Sequence, residues 1–159
     1  MTRRGVRECK SAIYTAPLAA GQRPRAVNAI VLGHAIFNDL RGAKSSLDSP
    51  RRLVAFYTYK SPLTVWGSTA VTVTVIRPRR TARLLYDSRD LQRLGTQIMR
   101  VASLHLSATF EICRGSNGGL ATQYNGGFAL LRPECVTLAV KSADVVSTTR
   151  VVPFGVKHC

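Results

Sequence analysis

A chain of 159 residues is long enough for one domain with an appendage and too short for two full-sized cores. Apolar residues make up 45%, an ordinary globular share that argues against wholesale disorder. Lys and Arg number 23 against 8 Asp and Glu, a formal net charge of +15, and such self-repulsion is tolerated where a polyanion neutralises it.

Nucleic acid is the first polyanion to expect, and an anionic membrane surface is the second. Most of the cations are Arg, whose planar fork matches phosphate and stacks on bases. A generic solvated surface interleaves both signs, and acids are scarce here.

Residues 1–26 read as a flexible basic arm. Arg3, Arg4, Arg7, Lys10, Arg23 and Arg25 stand among Gly, Ser and Pro with Glu8 the only acid. Such an arm gains phosphate contacts without a rigid complementary surface. An Arg-rich, acid-poor segment holding Ser11 and Thr15 also fits an organellar targeting peptide.

Residues 27–159 read as a single β-rich domain. Val27, Ile30, Val31, His34, Phe37 and Leu40 fit helical spacing, whereas Ala29, Val31, Gly33, Ala35 and Phe37 fit a strand, so the pattern decides neither. A polar loop follows, ending at Asp48-Ser49-Pro50. Leu53–Tyr59 and Leu63–Trp66 are β-favouring segments separated by Ser61-Pro62. The clearest strand is Thr69–Ile76, where Val71, Val73 and Val75 face one side and Thr72 and Thr74 the other. Pro78 ends it, and Arg83–Tyr86 is a short candidate after it.

Asp87–Ala102 is the best helix. Asp87 caps the first turn, Asp90 suits its positive end, and Leu91, Leu94, Ile98 and Val101 form one apolar stripe. Strands return at Leu104–Cys113, and Gly115–Gly119 reads as a turn. Asn125-Gly126-Gly127 predicts a hairpin within Leu120–Leu131, because Asn and Gly tolerate positive φ. Val136–Val140 and Val145–Val156 complete a count of about eight strands and one secure helix.

Cys9, Cys113, Cys135 and Cys159 show no Cys-x-x-Cys spacing, so zinc is not expected. With no signal-peptide pattern at the N-terminus, reduced thiols are the default expectation. The longest apolar stretch, Ala26–Leu40, is broken by Asn28, His34, Asn38 and Asp39, so no transmembrane segment is predicted and the chain reads as soluble.

Enzyme signatures are thin. His34, His105 and His158 lie far apart and outside any recognised motif, and Asp87 and Asp90 read as helix-start residues rather than an acid pair. The glycine-rich turns lack the Lys-Ser/Thr ending of a P-loop. The expectation is a non-enzyme with no catalytic residue, no metal and no cofactor.

The basic clusters carry more. Arg77, Arg79, Arg80 and Arg83 form the densest group, at a strand exit, and Arg51 and Arg52 form a smaller pair at a strand entrance. Tyr57, Tyr59, Trp66 and Tyr86 stand near these patches, where they either stack on unpaired bases or pack in the core. No sequence-reading motif is visible, so recognition would be led by the phosphate backbone.

Three segments resemble capsid (coat) proteins of small positive-strand RNA viruses of the bromovirus and cucumovirus group. They are Pro17-Leu18-Ala19-Ala20-Gly21-Gln22 with Ala29-Ile30, then Thr64-Val65-Trp66, then Leu84-Leu85-Tyr86-Asp87 ahead of a helix. The resemblance implies a jelly-roll-like antiparallel β-sandwich or barrel with one short helix, and a basic N-terminal arm that packages RNA. On that reading the protein is a self-assembling structural subunit, a homo-oligomer found in the virion and host cytoplasm. Two alternatives share the charge: a ribosomal or organellar ribonucleoprotein subunit on rRNA, and a nucleic-acid-processing enzyme.

Overall fold

The computed structural model describes residues 5–19, 21–40, 56–115 and 118–159. The expectations for Arg3, Arg4, Arg51 and Arg52, the loop ending at Pro50 and the start of the Leu53 strand lie outside the described residues.

The protein is mainly β, with several antiparallel sheets and, among the described residues, one α-helix. The alternating segment of the sequence sets the frame. Strand β7 (Val71–Arg77) buries Val71, Val73 and Val75 and leaves Thr72 and Thr74 on the other face, as a period of two requires. It pairs on one side with β9 (Ser107–Phe110) and on the other with β13 (Glu134–Lys141). The edges of this five-stranded sheet are β1 (Val6–Arg7) and β14 (Thr148–Phe154), in the order β1-β9-β7-β13-β14. Only the β1–β9 pairing is parallel.

A second sheet takes the order β10-β11-β6-β4-β3, from β3 (Ile30–Leu32), β4 (Ala35–Phe37), β6 (Leu63–Val65), β10 (Arg114–Gly115) and β11 (Gly118–Tyr124). Beside β10, β2 (Tyr14–Pro17) pairs antiparallel with the remainder of β11. The third sheet holds β5 (Tyr57–Lys60), β12 (Gly127–Leu130) and β8 (Ala82–Leu85), in that order.

One apolar core joins all three sheets. Val73 and Leu138 from the first pack in the same cluster as Phe37 and Leu63 from the second and Leu84 and Phe128 from the third. Each such side chain contributes roughly 1.5–3 kcal/mol of burial. Aromatic rings form its centre: Tyr86 meets Phe110 edge-on with centroids 5.3 Å apart, and Phe128 lies 4.9 Å from Phe154.

Several expectations are corrected. Residues 6–17, read as part of a flexible arm, are ordered into two sheets through β1 and β2, so the domain does not begin at residue 27. The backbone ladder holds them, because few of their side chains are buried. The ambiguous segment around Val31 is a hairpin, turning at Gly33, whose φ of +54° glycine adopts without a Cβ penalty. The thiols are not reduced: Cys9 is joined to Cys113, and Cys135 to Cys159.

The helix is shorter than its stripe. Helix α1 (Ser88–Arg93) begins as read, with Asp87 accepting from Arg89 N at 2.8 Å, but ends before Gly95, which sits at φ +83°. Ile98, predicted on the buried stripe, is 77% exposed, and Val101 reaches its apolar pocket from a separate 3-10 turn (Val101–Ser103).

Asn125-Gly126-Gly127 is not a hairpin either. β11 and β12 belong to different sheets, and this tripeptide carries the chain between them. Glycine is needed for close approach: a Cβ on Gly127 would collide with the Tyr59 carbonyl oxygen, and one on Gly126 with the Tyr86 ring.

Candidate nucleic-acid interface

The predicted basic cluster forms one loop. β7 ends at Arg77, the Arg77–Pro78 peptide is cis, and Arg79-Arg80 make the turn into β8. The turn is closed by Ala82 N donating to Pro78 O at 3.3 Å, and Leu131 N donates to Thr81 O at 2.8 Å. The loop is therefore tied to both neighbouring sheets. Arg77, Arg79 and Arg80 are exposed on it.

Arg83 plays a different part. It is half-buried, and its guanidinium donates to the carbonyl oxygens of Arg79 and, at 2.9 Å, of Ala82. Burial, and then the neighbouring Arg79 charge, lowers its pKa. Arg83 shapes the loop and leaves Arg77, Arg79 and Arg80 to face solvent.

The N-terminal cations divide in the same way. Arg23 and Arg25 are exposed. Lys10 is exposed but sits 2.6 Å from Glu8, whose pKa it lowers chiefly through that hydrogen bond. Arg7 is no phosphate ligand, which corrects the expectation. It is 5% exposed and donates to the carbonyl oxygens of Tyr86, Asn125 (3.1 Å) and Ser11 (3.1 Å) and to Ser11 Oγ (3.0 Å). Its guanidinium also lies 5.3 Å from the Tyr124 ring centre. Desolvation lowers its pKa, opposed by the charges around it, Tyr124 and Asp87 first.

Of the two roles open to the aromatics, core packing is the one found. Tyr59, Trp66 and Tyr86 are buried, and Tyr57 packs partly buried against the core. Tyr86 Oη donates to Ser61 O at 2.6 Å, inside the protein. Among the described aromatics, Tyr14 is the one with an exposed ring.

Acids are outnumbered 8 to 23 by Lys and Arg, and several of them bind groups other than those cations. Asp87 caps α1, Glu111 Oε2 accepts from Cys9 N at 3.1 Å, and Asp144 accepts from Thr69 (2.9 Å) and Ser68 (3.2 Å). Those bonds to hydroxyls, Thr69 first, lower the Asp144 pKa. Asp87 and Asp90 also flank His105 Nε2 at 3.6 and 3.8 Å, a grouping that sequence distance concealed. Among the described residues, ion pairs of Lys or Arg with an acid number two, Lys10–Glu8 and Arg132–Glu134.

Arg89, Arg93 and Arg100, which the sequence places off the apolar stripe of the helix, are exposed, and so are Arg114, Lys141 and Arg150 on strands, which escaped sequence reasoning because they are scattered along the chain. No protein-family model, curated protein or solved structure matches this chain.

Proposed function

We propose that this protein is a structural subunit that binds RNA through its phosphates and assembles with copies of itself, as a viral capsid protein does. The observation that carries the reading is the division of labour among charges. The described acids are mostly engaged with backbone amides, hydroxyls and histidine, while Arg23, Arg25, Arg77, Arg79 and Arg80 face solvent. Exposed guanidinium groups on a loop tied at both ends bind phosphate with little loss of order. Mainly antiparallel sheets around one shared core suit a jelly-roll variant.

The disulfides favour this reading over a ribosomal subunit. Bonds such as Cys9–Cys113 and Cys135–Cys159 persist in oxidising surroundings and are rare in proteins that work in the cytosol. A particle that leaves the cell meets such surroundings, whereas a ribosome does not.

Sedimentation of the purified protein with and without nuclease tests the proposal. Fast-sedimenting particles that contain RNA support it. A chain that stays monomeric and free of RNA at high concentration refutes it.

A further inference from the structure

The outer face of the five-stranded sheet sets hydroxyls between two cations. Its middle row runs Ser107–Thr74–Ala139–Thr149. The row on one side runs Thr109–Thr72–Lys141, and the row on the other joins Arg77 to Thr137. Arg77 and Lys141 are both exposed, and their rows lie four residues of β13 apart, roughly 13 Å at the rise of a strand. None of the paired positions on this face is acidic, and none is aromatic.

The hydroxyls keep hydrogen-bonding capacity to offer. Thr72 Oγ1 and Thr109 Oγ1 are 2.9 Å apart, as are Thr74 Oγ1 and Ser107 Oγ. A hydroxyl oxygen carries two lone pairs, and such a sideways bond occupies one of them at most. Each of these four oxygens can therefore still accept from a donor outside the protein. Across the face the order is cation, acceptors, cation.

We infer that this face docks across the minor groove of double-stranded RNA, an inference that rests on the RNA-binding part of the function proposed above. The groove of an A-form duplex is wide and shallow, and it presents phosphate, then a strip of ribose 2′-hydroxyls, then phosphate. Arg77 and Lys141 meet the two phosphate edges, and the Thr and Ser oxygens accept from the 2′-hydroxyls between them. Arg79 and Arg80, which follow Arg77 on its loop, lengthen the phosphate contact.

Each rival occupant matches only part of this pattern. A single strand is held largely by stacking on rings, which the face lacks, and it carries fewer phosphates per unit length than a duplex. A DNA duplex has the phosphates but no 2′-hydroxyl to donate. An acidic polypeptide pairs with the two cations, yet its carboxylates bring acceptors to a surface of acceptors. A second copy of this chain brings its own surplus of cations towards these two.

The test measures fluorescence anisotropy of an RNA duplex of about 16 base pairs, a DNA duplex of the same sequence and one strand of the RNA, each with the full-length protein. The inference expects the parent to bind the RNA duplex about tenfold more tightly than either of the others. Arg77→Ala/Lys141→Ala should weaken duplex binding and flatten its salt slope by about 1–2. Thr74→Val/Thr149→Val, which removes hydroxyls and keeps β-branched side chains, should bring the RNA duplex down to the DNA level and leave DNA binding as it was. Circular dichroism checks that both variants keep the parent fold, and the comparison of ligands on the parent needs no variant. Equal binding of all three nucleic acids, a preference for the single strand, or an RNA preference that both variants leave unchanged overturns the inference and leaves the RNA-binding reading standing. So does displacement of the duplex by polyglutamate as effective, charge for charge, as displacement by unlabelled duplex. A parent that binds none of the RNAs overturns both.

Discussion

The guanidinium of Arg7 donates to the main-chain carbonyl oxygen of Tyr86, 79 residues further along the chain. Together with bonds to Asn125 and Ser11, it makes a cation of the N-terminal segment part of the interior. Replacing Arg7 with Ala strands these carbonyls in a buried site, so it should cost about 2–4 kcal/mol in denaturant unfolding. Arg7→Lys should recover only part of this, because a single ammonium cannot reproduce the fork. Neither change should alter the salt dependence of RNA binding in protein that remains folded.

The exposed loop should behave in the opposite way. Arg79→Ala/Arg80→Ala removes two exposed guanidinium groups, the proposed phosphate ligands, without touching a core contact, so stability should change by no more than about 0.5 kcal/mol. RNA affinity should fall uniformly across sequences, and the slope of log affinity against log salt should flatten by about 1–2. Fluorescence anisotropy across a salt series measures both.

Reduction should loosen the molecule. Cys9–Cys113 closes a span of 104 residues and fastens the segment between β1 and β2 to the stretch that joins β9 to β10. Cys9→Ser/Cys113→Ser should therefore destabilise by roughly 2–5 kcal/mol, more than Cys135→Ser/Cys159→Ser, whose span is 24 residues. Thermal melts with and without reductant would show the parent descending to the level of the quadruple Cys→Ser variant.

Alkaline pH should unfold the protein through its tyrosines. Burial raises the pKa of Tyr86 and of Tyr124 well above the ordinary tyrosine value. A raised pKa in the folded state means stability that is complete below the unfolded value of about 10 and is lost as pH rises beyond it. In a titration followed at the tyrosinate absorbance band, these two rings should ionise only together with loss of β structure by circular dichroism. Ionisation while the fold persists would place them outside the core.

What the sequence revealed follows from where burial is one-sided. Val71, Val73 and Val75 were legible because β7 buries one face only, and Asp87 was legible because capping is a local bond. The end of α1 was not: the apolar spacing ran on through Ile98, but Gly95 adopts positive φ and breaks the stripe. β1 and β2 carry almost no buried apolar side chains, so their apolar pattern does not distinguish them from a basic arm. Gly127 looks like a turn former in the sequence, whereas its role is close approach to the Tyr59 backbone, a non-local fact. The disulfide partners were equally hidden, because spacing carries no information on which sheets meet. Of the basic site, the Arg77–Arg80 loop was visible as a run, while the withdrawal of Arg7 and Arg83 from solvent depended on tertiary hydrogen bonds.

Binding of the RNA-free, full-length protein to a short RNA, measured from low to moderate salt beside a neutral protein of similar size, tests the central claim most directly. The account predicts tight binding at low salt that weakens by orders of magnitude as salt rises, with a slope reporting several phosphates. Affinity no greater than that of the neutral protein, or binding indifferent to salt, would contradict it.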